Sequence, residues 1–483
     1  MPPKNNSRRQ YLFFLFAGVV FLSCGLSQAQ RPDRETSSLP DAATPNTSEP
    51  KGFFARWAEF YRQDWSPTVA SSPAPSPARR GLPSPLDSPP FPNSDWSYGG
   101  SSVMGEPDTN SYPLMTAINQ ARSRSKIYGW LDPTLNFSTS AHSNGPEAND
   151  VYSNRFELNQ FVLYAERLPD SVQRSRIDWG YHLTALYGTD FRYTTGKGYL
   201  SGQLLNHHRQ YGFDPTLEYV DVYLPQVAQG MNLRLGRFIS VPGIEAQLAP
   251  NNYIFSHSLL YAIDPFTDTG LIATVKLNDQ WLVQLGITGG HDVALWTPDA
   301  KPSGTGCLSY TTGSVNDNVY ICANGINDGK YAYNNLQQYD ATWYHKFSKT
   351  LHIATEAWYM YERDVPAMGG NIQPETGANA AYCLPGKQRC TAPEYALVNF
   401  LQKELSPHNF LSFRGDFLDD KRGQRTGYAT RYSENTIMWC HWIGTTVQLR
   451  PELRFERAWD QKAYDNGRQH NQLTVASDLI FHF

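Results

Sequence analysis

Charged side chains recur at every second position in one segment near the C-terminus. In VQLRPELRFERAW (447–459) the alternating charges are Arg450, Glu452, Arg454 and Glu456. Because successive side chains of a β-strand point to opposite faces, these four would share one face of a strand. An Arg or Lys exposed to lipid costs about 2–4 kcal/mol at the membrane midplane, so in a membrane barrel this face would line the lumen. The other inward positions predicted to carry charge are Arg234, Lys276, Glu356, Arg414 and Asp416.

Such a set of inward charges has two interpretations. A transverse electric field across a channel orders passing solutes and sets an ion preference. Alternatively, the charges pair with one another and stiffen the wall. The sequence leaves both open, since both can hold at once.

The sequence evidence for catalytic residues is weaker than the evidence for a charged inner face. His352 and Glu356 share a strand face but would lie about 13 Å apart along the strand. Ser256-His257-Ser258 lacks an identifiable third partner, and no GxSxG, HExxH, P-loop or GxGxxG motif stands in a strand–turn–helix context. The sequence therefore predicts no enzyme, cofactor or metal. The net charge of −4 gives no support for binding nucleic acid.

Strands with two different faces dominate the second half of the chain. In the last segment, NQLTVASDLIFHF (471–483), one face carries Leu473, Val475, Ser477, Leu479, Phe481 and Phe483, and the other face is mostly polar. A soluble sandwich would bury the apolar face in a core, whereas an outer-membrane barrel would turn it toward lipid. Similar period-two segments recur from residue 126 onward.

The lengths of the connections decide between these architectures. Tight turns near 168–176, 225–230, 278–280, 348–350, 406–408 and 448–451 alternate with longer polar loops, of which 290–335 is the longest. Short periplasmic turns and long outer loops are typical of outer-membrane barrels. We predict an all-β, transmembrane, antiparallel up-and-down barrel of about fourteen strands, with a range of 12–16, over residues 99–483. An even number of strands places both termini on the periplasmic side.

The N-terminal part has a different composition. Residues 1–29 have the basic start, apolar stretch and small-residue end of a secretory signal peptide. Residues 30–98 are rich in Pro and Ser, which predicts an extended, disordered linker. Within this linker, 52–65 (GFFARWAEFYRQDW) has an amphipathic helical pattern. That segment would be a helix lying on the inner leaflet or on a periplasmic partner, a helix docked on the protein itself, or a disordered piece.

Cysteines in an exported protein favour disulfides. Cys307 and Cys322 flank a Gly/Ser/Asn-rich stretch, and Cys383 and Cys390 flank LPGKQR, so each pair is predicted to close a local loop. Cys440 is predicted to stay unpaired within a strand.

The loop 240–266 (SVPGIEAQLAPNNYIFSHSLLYAIDPF) is too apolar for a solvated outer loop. We expect it to fold into the lumen and narrow the channel, with Glu245, Asn251 and Asn252 as polar lining. The alternative is that it packs over the rim of the barrel.

Several of these segments are distinctive together. IYGWLDPTLN, LRLGRF and PGIEAQLAPNNYIFSHSLLYAIDPFTDTG resemble the OmpL-like family of β-barrel porins of Gram-negative outer membranes, from about residue 99 to the C-terminus. The resemblance implies a porin, with outer-membrane lipid, the barrel-assembly machinery and small polar solutes as partners, and with self-association as a further expectation. In outer-membrane proteins a terminal aromatic residue is an assembly signal, and Phe483 fits that role.

Three functions remain to be distinguished. The first is a channel for passive diffusion of small hydrophilic solutes or ions in the outer membrane, with the N-terminal extension in the periplasm. The second is a closed barrel that acts as an adhesin, receptor or structural anchor. The third is an outer-membrane hydrolase.

Overall fold

A computed structural model describes residues 52–66, 112–146, 150–367 and 380–483 of the chain. Sixteen antiparallel strands close into one barrel in which each strand pairs with its neighbours in sequence and β1 pairs with β16. The strands are β1 (Ser125–Ser138), β2 (Phe156–Arg167), β3 (Asp178–Gly188), β4 (Gly212–Leu224), β5 (Met231–Ile239), β6 (Thr267–Lys276), β7 (Trp281–His291), β8 (Ser303–Thr311), β9 (Asp317–Ile326), β10 (Gln337–Ser348), β11 (Leu351–Pro366), β12 (Arg389–Ser406), β13 (Asn409–Asp420), β14 (Thr430–Ile443), β15 (Val447–Ala458) and β16 (Asn471–His482).

The two faces of the strands differ as their alternation predicts. On β16, Val475 is 49% exposed on the outer face, whereas its neighbour Thr474 is fully buried on the inner face. Leu285 on β7 and Leu453 on β15 are likewise exposed outward. An apolar outer surface of this extent is unfavourable in water and is the surface that lipid requires.

The closing seam between β1 and β16 is fully hydrogen-bonded at its end. Gly129 and Phe483 exchange two backbone hydrogen bonds of 3.0 and 2.9 Å, and the Phe483 ring lies 5.9 Å from that of Phe161. Lipid offers no hydrogen bonds, and each unpaired backbone group there would cost several kcal/mol. The C-terminal residue therefore completes the barrel.

The strand count exceeds the predicted fourteen by one hairpin and stays within the predicted range. The long loop expected at 290–335 contains β8 and β9, whose Gly and Asn residues have weak strand propensity. The turn expected at 448–451 was wrong. The overlong strand 429–447 instead ends at Ile443, and β15 begins at Val447.

Connections at the two ends of the barrel differ in length. Those at one end have two to ten residues, and those at the other end have nine to 27 residues. Helices within the described ranges are short: α1 (Phe53–Asp64), α2 (Pro113–Ala117), α3 (Phe191–Thr194), α4 (Gly202–Leu205) and α5 (Tyr464–Gly467). Among the residues that the structure describes, no helix has the length and apolarity needed to cross a membrane.

Helix α1 docks on the end of the barrel where the short turns lie. The Asp64 carboxylate accepts hydrogen bonds from the backbone amide and hydroxyl of Thr445 and from the hydroxyl of Thr446. The Tyr61 hydroxyl donates to the carbonyl oxygen of His482 at 2.9 Å, and burial raises the pKa of Tyr61 to about 12. Of the alternatives given for this segment, the structure shows a helix docked on the protein itself.

The remaining N-terminal predictions fall on other parts of the chain. The signal peptide at 1–29 and most of the Pro-rich linker lie outside the described residues. The barrel begins at Ser125, and the stretch from 99 to 111 is also outside them.

Candidate pore and its inner loop

The connection between β5 and β6, residues 240–266, enters the barrel and is called the inner loop. Its apolar side chains are almost completely excluded from water, including Ile244, Leu248, Ile254, Leu259, Leu260 and Ile263. They form one apolar cluster with inward side chains of the strands, such as Val398, Phe400 and Met438. The loop thus folds into the lumen, where its apolar residues find the burial that an outer loop would deny them.

Carboxylates of the wall fasten the backbone amides of the inner loop. Oxygen atoms of three carboxylates accept these bonds: Glu356 from Ile244 at 2.8 Å, Glu452 from Ser256 at 3.0 Å and Asp416 from Leu259 at 3.2 Å. Charge-assisted hydrogen bonds are roughly twice as strong as neutral ones. Three strands on one side of the lumen therefore hold the loop at three separate points.

Arginines of the wall and outer loops bind the carbonyl oxygens of the same segment. Nη1 of Arg450 donates to the carbonyls of Ala249, Asn252 and Ile254 at 3.0, 3.3 and 3.4 Å. Arg414 donates to the carbonyl of Ser256, and Nε of Arg425 donates to that of Ile263 at 3.1 Å. Alternating acceptors and donors thus satisfy loop backbone that would otherwise be buried without partners.

All nine predicted pore-lining residues are buried on the inner side of the strands. Most form ion pairs: Arg234 with Asp221 at 2.9 Å, Lys276 with Asp279 at 3.0 Å, Arg414 with Glu434 and Asp416, Arg450 with Asp478, and Arg454 with Glu452 at 2.9 Å and Glu456 at 3.2 Å. Glu356 is bound to the inner loop. Charged side chains of the barrel wall therefore do form ion pairs with one another. The role of these residues in permeation stays a prediction.

The three residues predicted as polar lining of the constriction differ in their contacts. Glu245 accepts hydrogen bonds from the backbone amide and hydroxyl of Ser258 and lies 3.3 Å from His257. The Asn252 side chain bonds to the backbone of Ala246, so it stabilises the fold of the loop. Asn251 ends a short 3-10 turn, and its side chain lies outside the described part of the structure.

Both predicted cysteine pairs are joined in the structure. Cys383 and Cys390 are linked near the connection between β11 and β12. Cys307 and Cys322 face each other on β8 and β9 with buried side chains, so the segment that this disulfide closes is a β-hairpin and not an irregular loop. Cys440 is unpaired and buried.

Sequence reasoning missed neutral side chains that hold the inner loop. Gln160 on β2 donates to the carbonyl of Gln247 at 2.8 Å and accepts from the amide of Ala249 at 3.0 Å. Gln338 on β10 donates to Asp264 at 2.6 Å. In the sequence these glutamines are recognisable only as polar residues at inward strand positions. Such residues are too common in this chain to identify the ones that contact the loop.

The interior is also more aromatic than the alternation suggests. Tyr253 of the inner loop stacks on Phe400, with ring centroids 5.2 Å apart. Trp130 packs edge-on against Tyr164 at 5.1 Å, and His182 stacks on Tyr219 at 5.1 Å. The lumen in this structure is therefore filled by the inner loop and by large side chains around it.

The candidate catalytic groups serve structural contacts. The Tyr253 ring lies 5.7 Å from His352, and the His257 ring stacks on Tyr261 at 3.8 Å. Within the ranges that the structure describes, no group of three or more His, Cys, Asp or Glu side chains could hold a metal ion.

Comparison with known proteins identifies the class. The model of the family described as "Putative beta-barrel porin-2, OmpL-like" matches residues 125–483, the whole barrel, and the chain belongs to this family. It is a porin-type barrel of the outer membrane. No curated protein sequence matches the chain.

Several solved structures have a similar fold at low sequence identity. The anion-selective porin from Comamonas acidovorans is 11% identical with a TM-score of 0.47, and the match covers 74% of this chain and 99% of that one. The outer membrane channel DcaP of Acinetobacter baumannii is 10% identical with a TM-score of 0.45, covering 74% and 97%. OmpT of Vibrio cholerae is 9% identical with a TM-score of 0.45, also covering 74% and 97%.

Proposed function

We propose that this porin carries small hydrophilic solutes or ions across the outer membrane by passive diffusion, through a barrel narrowed by the inner loop. The observation that carries this proposal is the hydrogen-bonded placement of the loop backbone inside a barrel whose inner face is charged. A solvated lumen is what charged inner faces need, because an ionised carboxylate in a dry interior is costly.

Three carboxylates support a hydrated lumen in particular. Asp132, Asp340 and Glu394 are buried, and neither oxygen of any of them accepts a hydrogen bond from a neutral or basic donor among the residues that the structure describes. To be ionised, groups of this kind require water or a mobile cation beside them. The lumen is therefore expected to hold solvent around the inner loop.

The architecture supports an orientation with the short turns in the periplasm. Short turns of outer-membrane barrels face the periplasm, and α1 docks on the β14–β15 turn and on the C-terminal end. The N-terminal extension would then lie in the periplasm. Phe483 would be read by the barrel-assembly machinery, and the exposed apolar face would contact outer-membrane lipid.

A closed barrel that acts as an adhesin, receptor or anchor is the second candidate. It is favoured by the dense packing of the inner loop, whose side chains Ile244 and Leu259 are fully buried. Family membership supports the channel, and a catalytic role has no support in the contacts described above.

Deletion of residues 243–262 separates the two candidates. In planar bilayers, we expect the wild type to give discrete conductance steps and the deletion variant to give larger ones. Equal steps from both proteins would remove the loop as the constriction. If both proteins fold but neither conducts, the closed barrel is the better description.

A further inference from the structure

We infer that the pore selects cations over anions, and that the selective element is a cluster of three carboxylates beside the inner loop. This inference rests on the proposed channel function and adds the class of solute. Among the described residues, twenty-two Asp and Glu side chains are buried, against eight Arg and Lys side chains. Buried acidic side chains therefore greatly outnumber buried basic ones, although the whole chain has a net charge of only −4.

Pairing leaves this excess in place, because five of the seven buried arginines are each paired with at least one carboxylate. Arg237 is held by Asp214 at 3.0 Å, and Arg454 alone contacts three acidic residues. Such pairs neutralise the positive charges of the wall, so the paired arginines do not attract anions into the lumen. The unmatched charge that remains is carboxylate.

Part of the unmatched charge is concentrated next to the inner loop. Here the carboxylate cluster is defined as Asp264 at the end of the loop, Asp340 on β10 and Glu356 on β11. A Cβ atom added to Gly243 would lie 3.6 Å from an oxygen of Glu356 and 3.9 Å from an oxygen of Asp264, so both carboxylates border the same turn of the loop. Asp340 pairs with Trp358 and Thr342 pairs with Glu356, so Asp340 and Glu356 are diagonal neighbours on the inner face of β10 and β11. Glu356 and Asp264 are both acidic neighbours of Asp340.

The surroundings of the carboxylate cluster offer little compensation. Asp264 accepts a hydrogen bond from Gln338 and Glu356 accepts one from Ile244, both neutral donors. Asp292 and Glu245 add negative charge nearby. The cation acting on Asp264 is Arg425, whose guanidinium is bonded to the carbonyl of Ile263 and the side chain of Asn334.

Asp340 receives no hydrogen bond from a neutral or basic donor among the described residues, although its side chain is only 4% exposed. Its hydrogen-bond partner is the carboxyl group of Glu356, which is itself acidic. Carboxylates of like charge at a narrow point of a pore attract cations and repel anions. A cation that passes the inner loop beside the carboxylate cluster would compensate negative charge for which the residues that the structure describes supply no ion pair.

The test is the ratio of K⁺ to Cl⁻ permeability, from the reversal potential in a KCl gradient across a planar bilayer. The triple variant Asp264→Asn, Asp340→Asn, Glu356→Gln removes the three charges while each new amide keeps an acceptor for the bonds from Gln338 and Ile244. Asp328→Asn is the control, since Asp328 lies in an outer loop and is 53% exposed. Folding of each variant is checked by the gel shift of the unheated protein.

We expect a wild-type ratio above one that falls about fivefold in the triple variant. Three carboxylates at roughly 10 Å from a passing ion attract a cation and repel an anion. Salt at 0.1 M weakens both effects, because its screening length is about 10 Å. The control should keep the wild-type ratio. Conductance steps with a ratio of one or less, or an unchanged ratio in the triple variant, would overturn the cation preference and leave the channel intact. Absence of steps from both wild type and the 243–262 deletion would overturn the channel and the preference together.

Discussion

Arg450 joins the wall of the barrel to the inner loop, and replacing it with lysine should loosen the loop. Its Nη1 reaches three loop carbonyls, the nearest being that of Ala249 at 3.0 Å, while Nε bonds to Asp478 at 3.0 Å. Arg450→Lys keeps the positive charge beside Asp478. A single ammonium group, however, lacks the rigid fork that lets arginine bind the carboxylate and the loop at once.

The size of the effect follows from the bond that is lost. A hydrogen bond to a charged group contributes about 1.5–3 kcal/mol, and about 1.4 kcal/mol corresponds to a factor of ten in an equilibrium constant. The equilibrium between docked and released inner loop should therefore shift by about tenfold to a hundredfold toward release. In planar bilayers this would appear as a higher frequency of large-conductance openings.

Arg457→Lys is the matched control for this experiment. Arg457 lies on the same strand but is exposed on the outer face, where its guanidinium stacks over Trp459 at 4.3 Å. The reasoning fails if folded Arg450→Lys protein gives the same distribution of openings as wild type. It fails equally if Arg457→Lys produces the same increase, because that change cannot reach the inner loop.

Three further predictions concern stability. Tyr61→Phe removes the bond from α1 to the carbonyl of His482 and should cost about 0.5–1.5 kcal/mol, seen as a lower thermal midpoint; an unchanged midpoint would mean that α1 is not held there. The double replacement Cys307→Ser and Cys322→Ser should cost about 3 kcal/mol, and reduction of the wild type should reproduce that loss. Leu285→Arg, on the exposed face of β7, should cost about 2–4 kcal/mol if it faces mid-membrane lipid, whereas Leu277→Arg at a turn should cost about 0–1 kcal/mol; equal costs for the two would contradict the placement of the membrane.

The barrel and its lipid face could be predicted from the sequence because they depend on simple alternation. Val475 and Thr474 have the opposite exposures that period two requires. The inner loop could be predicted because residues such as Leu259 demand burial wherever the loop goes. In both cases the prediction depends only on which residues are polar or apolar and on their positions along the chain.

Predictions were wrong, left open or not possible where contacts between distant segments decide the structure. β8 and β9 form because each has a neighbouring strand on both sides, although Gly304 and Gly306 give them little strand propensity of their own. The docking of α1 depends on Thr445, nearly 400 residues away in the chain. The cluster around Asp340 exists because the inner loop brings Asp264 to β10 and β11, a proximity that local spacing does not encode.

Swelling of liposomes that contain the purified full chain measures passive diffusion through the barrel. We expect small neutral sugars to enter and swell the liposomes, at a rate that falls with solute size, and deletion of 243–262 to raise both the rate and the size limit. Folded protein that leaves swelling at the level of protein-free liposomes, with and without the inner loop, would contradict passive diffusion through the barrel.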